Sequence, residues 1–528
     1  MPPLQATGLS TGANGIEGDG VMDWTQMLTG LAKAFWDLST PYGLFLITIG
    51  VAVGILGGAL PGVSTTMTVA LLAVVTYKMD PLWAIIMLSA TQLGGTYGGS
   101  ISATVLNIPG TPASAPTAIE GYQLTKKGEA EVALGINVFA SFMGNNLGLV
   151  LLLVTMPFFV KLSMMFGPWE MFWFGIFGVF IAANLSEGDT IKGLIAATVG
   201  LVLGCVGLDP IDGSPRFAFG TTYLVGGIPL IPAMIGLYGF TEVFSGLTDI
   251  SVKSFPLKKT SLIGAAKLWW KYRWLSVRTA ILGYIIGVAP GIGANVSCWV
   301  GYDHAKSTSK EPEKFGKGSI EGLIGSETCN MANVPGAYAP VLSLSVPGDA
   351  PTAIMLGILM IHGVRPGPTF LITHSHWLYE IAVALFLAGI LFVIIGTYAG
   401  KGLVRMFVNT PRTAMAAIVA VLCVLGSYAA NININDIFLA FFFGVLGIIM
   451  SALGFPVSPL VLGLILGGDL LDVQFRRALM AGKGSLAPFF TRGVSIALIL
   501  FIVVIVFYQY ILPKIRKRKV KDRTVILE

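Results

Sequence analysis

The sequence predicts an all-α polytopic membrane protein, and three observations carry that reading. Hydrophobic residues make up 54% of the 528 positions and charged residues only 11%, against about 25% charged in an ordinary soluble domain. Mean hydropathy is +0.79. Charge-free runs recur along the chain, among them 38–77, 81–119, 132–160, 217–241, 279–302, 328–348, 381–400, 413–435, 437–468 and 493–513. No single soluble core hides that much apolar surface. The same numbers exclude disorder, a coiled coil and a nucleic-acid module. A spanning helix needs about 20 residues. β-Barrel strands would alternate in about ten-residue segments, and these runs do not alternate. With shorter runs such as 171–186 and 193–208 included, the expectation is roughly ten to twelve helical passes.

Charge divides the chain. Residues 1–37 read as a flexible extension with an amphipathic start, and 1–20 carry neither a base nor the apolar stretch of a signal peptide. A first membrane half covers 38–249. A basic linker follows at 250–278, where Lys253, Lys258, Lys259, Lys267, Lys271, Arg273 and Arg278 stand without an acid. Trp269, Trp270 and Trp274 make part of it amphipathic, lying at the headgroups. A second half covers 279–513, and a basic tail, 514–528, closes the chain. The excess of bases places linker and tail in the cytoplasm. Net charge +6 thus reads as an orientation signal rather than a nucleic-acid footprint. Cys205, Cys298, Cys329 and Cys423 lie far apart in apolar surroundings, so no disulfide, zinc or haem site is inferred.

Two of the apolar runs are too broken and too polar to face lipid. Run 81–119 holds Gly94, Gly95, Gly98, Gly99 and Gly110 with Pro109, Pro112 and Pro116. Ser100, Ser102, Thr104, Thr111, Ser114 and Thr117 lie among them. Residues 321–352 have the same character through Pro335, Gly336, Pro340, Pro347, Gly348 and Pro351. Irregular backbone at membrane depth is tolerated only where protein or a water-filled cavity satisfies it. The breaks also repeat. Gly58-Ala59-Leu60-Pro61-Gly62-Val63 returns 229 residues later as Gly287-Val288-Ala289-Pro290-Gly291-Ile292. Leu106-Asn107-Ile108-Pro109-Gly110 returns 238 residues later as Leu344-Ser345-Val346-Pro347-Gly348. Interrupted apolar segments at matching positions of two halves point to a carrier's binding site. The second half starts from the base-rich side and the first after a segment poor in bases, so the repeats are expected to be inverted.

At these residues the chain resembles the large membrane subunit of the tripartite tricarboxylate transporters, the TctA type. Tyr97-Gly98-Gly99-Ser100-Ile101, the stretch from Leu106 to Ala115, Gly121-Tyr122 and Lys127-Gly128 resemble its first signature. Gly207-Leu208-Asp209-Pro210, Gly213-Ser214-Pro215-Arg216-Phe217, Phe219-Gly220, Pro232, Ile235-Gly236-Leu237-Tyr238 and Glu242 resemble the central one. The third is similar to Lys314-Phe315-Gly316-Lys317-Gly318, Glu321-Gly322, Glu327-Thr328-Cys329-Asn330, Pro347-Gly348-Asp349 and His362 to Pro368. Phe475-Arg476-Arg477-Ala478-Leu479 and Phe490-Thr491-Arg492 match near the end. Met331 stands where the family usually has a second Asn, and Gly467-Gly468-Asp469 where Gly-Pro is frequent. The resemblance implies a three-part uptake system in the bacterial inner membrane. This permease would work with a small four-helix membrane subunit and a periplasmic solute-binding protein that delivers a small organic carboxylate. It implies an ion gradient as the energy source, and the sequence lacks a Gly-x-x-x-x-Gly-Lys-Ser/Thr phosphate loop.

Few bases lie within the apolar runs, so a carboxylate's charge falls to helix ends, whose free N–H groups carry about half a positive charge. The expected substrate-binding residues are Asn107, Pro109, Gly110, Thr111 and Ser114 in the first half. Their counterparts in the second are Ser345, Pro347, Gly348, Asp349 and Thr352. Oxygen ligands for a coupling cation are expected from Ser102, Thr104, Asn107, Glu327, Asn330 and Asn333. A trianion entering a negative cell works against roughly 7 kcal/mol per 100 mV, so uptake requires cotransported cations. Na⁺ is the expected ion, because oxygens outnumber proton carriers; no other cofactor is expected. A proton-coupled carrier of another organic anion is the alternative. An enzyme is disfavoured by four scattered His residues without a metal or Ser-His pattern. Asp209 and Asp212 read as turn residues, Arg216 as a partner of Asp212, and Arg476 and Arg477 as anchors of a cytoplasmic end.

Overall fold

The computed structural model describes residues 24–60, 64–107, 109–185, 190–209, 211–241, 262–289, 293–367, 370–398 and 412–506. The expected flexible start before residue 24, most of the linker before residue 262 and the basic tail lie outside the described residues. So do Pro61-Gly62-Val63 and Pro290-Gly291-Ile292. The described chain is almost wholly helical; its one strand pairing joins Gly207–Leu208 antiparallel to Pro215–Arg216. In the first half the helices are α1 Trp24–Leu38, α2 Pro41–Ala59, α3 Thr65–Thr76, α4 Pro81–Leu106, α5 Ala115–Lys126, α6 Ala130–Met164, α7 Pro168–Leu185, α8 Thr190–Gly204 and α9 Leu230–Phe240. In the second they are α10 Leu262–Lys271, α11 Arg273–Val288, α12 Gly293–Thr308, α13 Ile320–Leu344, α14 Ala350–Ile361, α15 His376–Tyr398, α16 Arg412–Asn431, α17 Ile434–Ala452, α18 Val457–Leu466, α19 Val473–Ala481 and α20 Gly493–Val506.

Among the described residues four helices are long and apolar enough to cross a membrane: α2, α6, α15 and α17. Helices α3, α9 and α14, and Ile191–Gly204 within α8, are apolar but shorter. The expectation of ten to twelve passes counted the length of apolar runs. The backbone divides several of those runs into half-length helices. Run 38–77 becomes α2 and α3, and 81–119 becomes α4 and the start of α5. Local chemistry sets these boundaries. Asp80 accepts from Leu82 N at 3.0 Å and Pro81 opens α4. Ser319 accepts from Gly322 N at 3.1 Å at the start of α13. Both long helices end on a residue in the left-handed region, Asn107 at φ 58° and Ser345 at φ 57°.

α4 is buried at every residue from Ala84 to Leu106, and α13 from Gly322 to Leu344. Small residues make that possible by letting backbones touch. A Cβ on Gly54 would overlap the carbonyl oxygen of Thr91, and one on Gly58 that of Gly95. In the second half Gly283 meets the carbonyl of Cys329, and Gly287 that of Asn333. Gly98 lies against the carbonyl of Ile55, and Gly336 against that of Tyr284. These contacts correspond under the 229- and 238-residue offsets, so α2 packs on α4 as α11 packs on α13. The two long helices touch through Ser89–Tyr338 and Ser100–Glu327, each at 2.7 Å. As α4 advances from 89 to 100, its partner on α13 retreats from 338 to 327. The helices therefore cross antiparallel.

Candidate functional site

After each long helix the chain turns back along it and starts a short helix. Gly110 N donates to Gly99 O at 3.3 Å, and Gly348 lies against the Cα of Ala337, the counterpart of Gly99. The glycine of each Pro-Gly pair then presses on a neighbouring helix end. A Cβ on Gly110 would strike the carbonyl oxygen of Gly58, and one on Gly348 the carbonyl of Gly287. Both glycines are required by backbone packing. A second brief helical turn, Pro112–Ser114, runs into α5, while α14 begins directly at Ala350.

Four helix starts meet at one cavity of about 560 Å³. Ser64, Thr65 and Thr66 bring the start of α3, and Thr111, Pro112 and Ala113 that of α5. Gly293, Ala294 and Asn295 bring the start of α12, and Asp349, Ala350 and Pro351 that of α14. Gln92 and Thr96 of α4, Trp299 of α12, Tyr238 of α9 with Thr241 just after it, and Ser451 and Phe455 complete much of the wall. The described wall carries no Lys, Arg or His, and its one acid is Asp349. Converging N-termini supply positive potential without a side-chain cation.

The wall acid is committed to its own helix. Asp349 Oδ1 accepts from Thr352 N at 2.9 Å and from Thr352 Oγ1 at 2.7 Å; Oδ2 accepts from Gln92 Nε2 at 2.8 Å. In the first half Thr111 N donates to Ser114 Oγ at 3.3 Å, and Ser114 Oγ donates to Thr111 O at 2.8 Å. The Thr111 side chain faces Ser114 N as one member of a capping box, and its buried hydroxyl donates to nothing.

Of the residues named from the sequence, Thr111 and Asp349 lie on the wall, with Ser114 and Thr352 holding them from behind. Pro109, Gly110, Pro347 and Gly348 form the turns leading there. Asn107 and Ser345 sit at the far ends of the long helices, and Ser345 Oγ donates to Pro366 O. Ser102 donates to Gly99 O at 3.2 Å, and Thr104 Oγ1 accepts from Asn137 at 2.6 Å. Glu327, fully buried, accepts from Ser100 at 2.7 Å, Ser141 at 2.9 Å and Thr117. Asn330 and Asn333 are fully buried, and none of their amide atoms has a partner.

The family model of the tripartite tricarboxylate transporter TctA family matches residues 44–462. The chain belongs to that family. It is therefore a multi-pass membrane protein of a transporter family, that of the permease component of tripartite tricarboxylate systems. It is 33% identical over 501 residues to an uncharacterized 52.8 kDa protein in the TAR-I ttuC' 3'region of Agrobacterium vitis. That match covers 94% of this chain and 98% of the relative. A second A. vitis protein, uncharacterized and from the TAR-II ttuC' 3'region, is 30% identical over 237 residues, covering 45% of this chain and 97% of its own length. No solved structure matches.

Other family signatures turn out to be joints between distant segments. Glu120 of α5, fully buried, accepts from Tyr302 OH at 2.7 Å, Gly316 N at 2.6 Å, Gly318 N at 2.8 Å and Ser319 N at 2.6 Å. A carboxylate from the first half thereby caps α13 of the second. Arg216 pairs with Asp209 at 2.6 Å and Asp472 at 2.9 Å, rather than with Asp212. Asp212 instead accepts from Ser214 N at 2.9 Å, as a turn residue does. Arg476, expected as an anchor, grips Asp209 with two bonds of 2.6 and 2.7 Å and Asp472 with one of 2.8 Å. Hydrogen bonding from Arg476, joined by Ile211 N and the Arg216 charge, holds the Asp209 carboxyl well below the usual carboxylate range.

Proposed function

We propose that the protein is the permease of an ion-driven uptake system for a di- or tricarboxylate, built from two inverted repeats in the bacterial inner membrane with its C-terminus in the cytoplasm. A periplasmic binding protein delivers the carboxylate, and a small four-helix membrane subunit accompanies the permease. The observation that carries this reading is the convergence of four helix starts on one cavity whose described wall has no side-chain cation. Such a site suits an organic anion that must be released again. Helix ends attract it without the deep trap of a buried salt bridge. Both Pro-Gly turns serve as the scaffold of the site. Thr111, Ser114, Asp349 and Thr352 form its ends, and Asn107, Pro109, Gly110, Ser345, Pro347 and Gly348 shape them.

The coupling ion is Na⁺. Support comes from the unpartnered buried oxygens of Thr65, Asn330 and Asn333 and from backbone freed at the broken helices, the kind of ligand that carriers use for Na⁺. Ser102, Thr104, Asn107 and Glu327 are the further oxygens proposed for it. Each charge moved across 100 mV is worth about 2.3 kcal/mol, so uptake of a trianion needs more than three Na⁺ to draw on the potential.

Reconstitution with both partner subunits tests the proposal, using labelled citrate, succinate and malate with and without a Na⁺ gradient. Na⁺-dependent accumulation of at least one acid is expected. Accumulation indifferent to Na⁺ but abolished by collapsing the proton gradient would replace the ion. Failure to accumulate any of the acids would remove the transport reading.

A further inference from the structure

We infer that the Thr111 end of the cavity receives one carboxylate group of the substrate. It lies where the Asp349 carboxylate lies in the other half, with the Thr111 hydroxyl and the Asn330 side-chain amide as its donors. The inference rests on the transport reading above and assigns its first contact.

The argument starts from the Asp349 carboxylate, which sits on the start of α14 and is held by Thr352 N, Thr352 Oγ1 and Gln92 Nε2. The 238-residue offset turns Asp349 into Thr111, Thr352 into Ser114 and Gln92 into Asn330. The local backbone pattern is kept. Asp349 N donates to Thr352 Oγ1 at 3.1 Å, and Thr352 Oγ1 to Asp349 O at 3.0 Å. The first half repeats both bonds between Thr111 and Ser114, at 3.3 and 2.8 Å. The contacts around it are kept as well: Gly58 with Gly110 is matched by Gly287 with Gly348, and Ser100 with Glu327 by Tyr338 with Ser89.

One thing differs. The first half has no carboxylate of its own at this place. Thr111, 5% exposed and on the cavity wall, has a hydroxyl that donates to nothing. Asn330, 0% exposed, has an unpartnered amide. A buried donor without an acceptor is costly, and here both members of the mirrored pair are in that state. Both are also shorter than their counterparts: Thr carries a hydroxyl where Asp carries a carboxylate, and Asn has one methylene fewer than Gln. By that correspondence the two shortened side chains stand where Gln92 and Asp349 meet in the other half, and a ligand's carboxylate would be bound there as Asp349 is bound. Asp349 is then a positioning residue. Its charge already offsets the end of α14, so it turns a second substrate carboxylate toward the starts of α3 and α12.

Thr111→Asp is the direct test, since it installs in the first half the internal carboxylate of the second. The complete three-part system is assayed for citrate and succinate uptake. The purified permease is assayed for thermal stability with and without citrate. Thr111→Asp is expected to melt higher than wild type without ligand, to lose the citrate-dependent rise and to lose uptake. Thr111→Val, which keeps the shape and removes the donor, is expected to weaken apparent affinity about tenfold, and Thr111→Ser to stay near wild type. With active wild-type protein, Thr111→Asp retaining citrate-dependent stabilisation and uptake overturns the inference and leaves the transport reading intact. Should Thr111→Asp not fold, unchanged affinity in Thr111→Val overturns it. Wild-type protein inert toward every acid removes the transport reading and this inference together.

Discussion

The turn after α4 and the turn after α13 share a backbone and differ in chemistry. Each long helix stops on a left-handed residue and returns along itself. Each then seats a glycine on the carbonyl that ends a neighbouring helix and starts a short helix at the cavity. Yet one short helix follows Asp349, whose carboxylate accepts three hydrogen bonds, and the other follows Thr111, whose hydroxyl donates none. Close packing is unforgiving, so the scaffold is duplicated faithfully. The cavity wall is where the halves are free to diverge. On the proposed function, the likenesses report stability and the differences report recognition.

The largest expected effect tests the shared scaffold. Gly110→Val and Gly348→Val each drive a side chain into a backbone carbonyl that cannot rotate away. Each should cost about 3 kcal/mol or more and yield little folded protein on size-exclusion chromatography in detergent. Similar losses in both halves would fit a duplicated scaffold. Normal folding of either variant would break the comparison at its base.

A second test separates the mirrored crossings of α4 and α13. Glu327→Ala strands the hydroxyls of Ser100, Thr117 and Ser141 in a fully buried place. Unpaired buried groups cost about 1–3 kcal/mol each, so a drop of about 3 kcal/mol or more is expected. Tyr338→Phe removes one hydroxyl from the mirrored contact with Ser89 and should cost about 1 kcal/mol. Chemical unfolding of the two variants reads the difference; equal losses would mean that Glu327 is only a spacer.

The sequence exposed the scaffold more clearly than the wall. Pro109-Gly110 and Pro347-Gly348 announce broken helices because Pro and Gly are poor helix interiors. That local signal survives without any tertiary knowledge. The wall residue Gln92 carries no such signal. It lies inside α4, eighteen residues before Gly110, and is a wall residue only because α4 passes the start of α14. Ser64–Thr66 and Gly293–Asn295 were accessible. They follow the first Pro-Gly pair in each half, which marks a helix start as plainly as the second does. Arg216 shows the opposite error. Its neighbour in sequence is Asp212, but a tight turn spends Asp212 on Ser214, and the true partners Asp209 and Asp472 are set by the fold.

That ion-pair cluster joins Asp209 and Arg216 of the first half to Asp472 and Arg476 of the second, away from the repeated turns, and pH isolates it from that scaffold. The Asp209 carboxyl is held below its unfolded value of about 3.9. A depressed carboxylate contributes stability that is complete above the unfolded value and is lost only as pH falls toward the folded one. The melting temperature should therefore show no contribution from Asp209 titration between pH 8 and 5. Asp209→Asn should lower it by a constant amount across that window, and the gap should narrow below about pH 4. A gap that changes between pH 8 and 5 would assign the titration to another group.

The smallest expected effect lies at the ends of the long helices, where the comparison is most finely balanced. Asn107 and Ser345 hold left-handed backbone that glycine adopts without steric cost. Asn tolerates that region better than most residues because its side chain bonds locally, and Asn107 is exposed. Asn107→Gly should consequently gain only a few tenths of a kcal/mol. Ser345 has no such local tolerance, so its backbone gains more from glycine. Its hydroxyl, however, donates to Pro366 O in a half-buried place, and losing that bond costs about 1 kcal/mol. The two terms oppose, and Ser345→Gly should leave the melting temperature near wild type or slightly below. A clear gain in Ser345→Gly would show that the Pro366 bond adds little, and that the turn after α13 is held by the Gly348 contact alone.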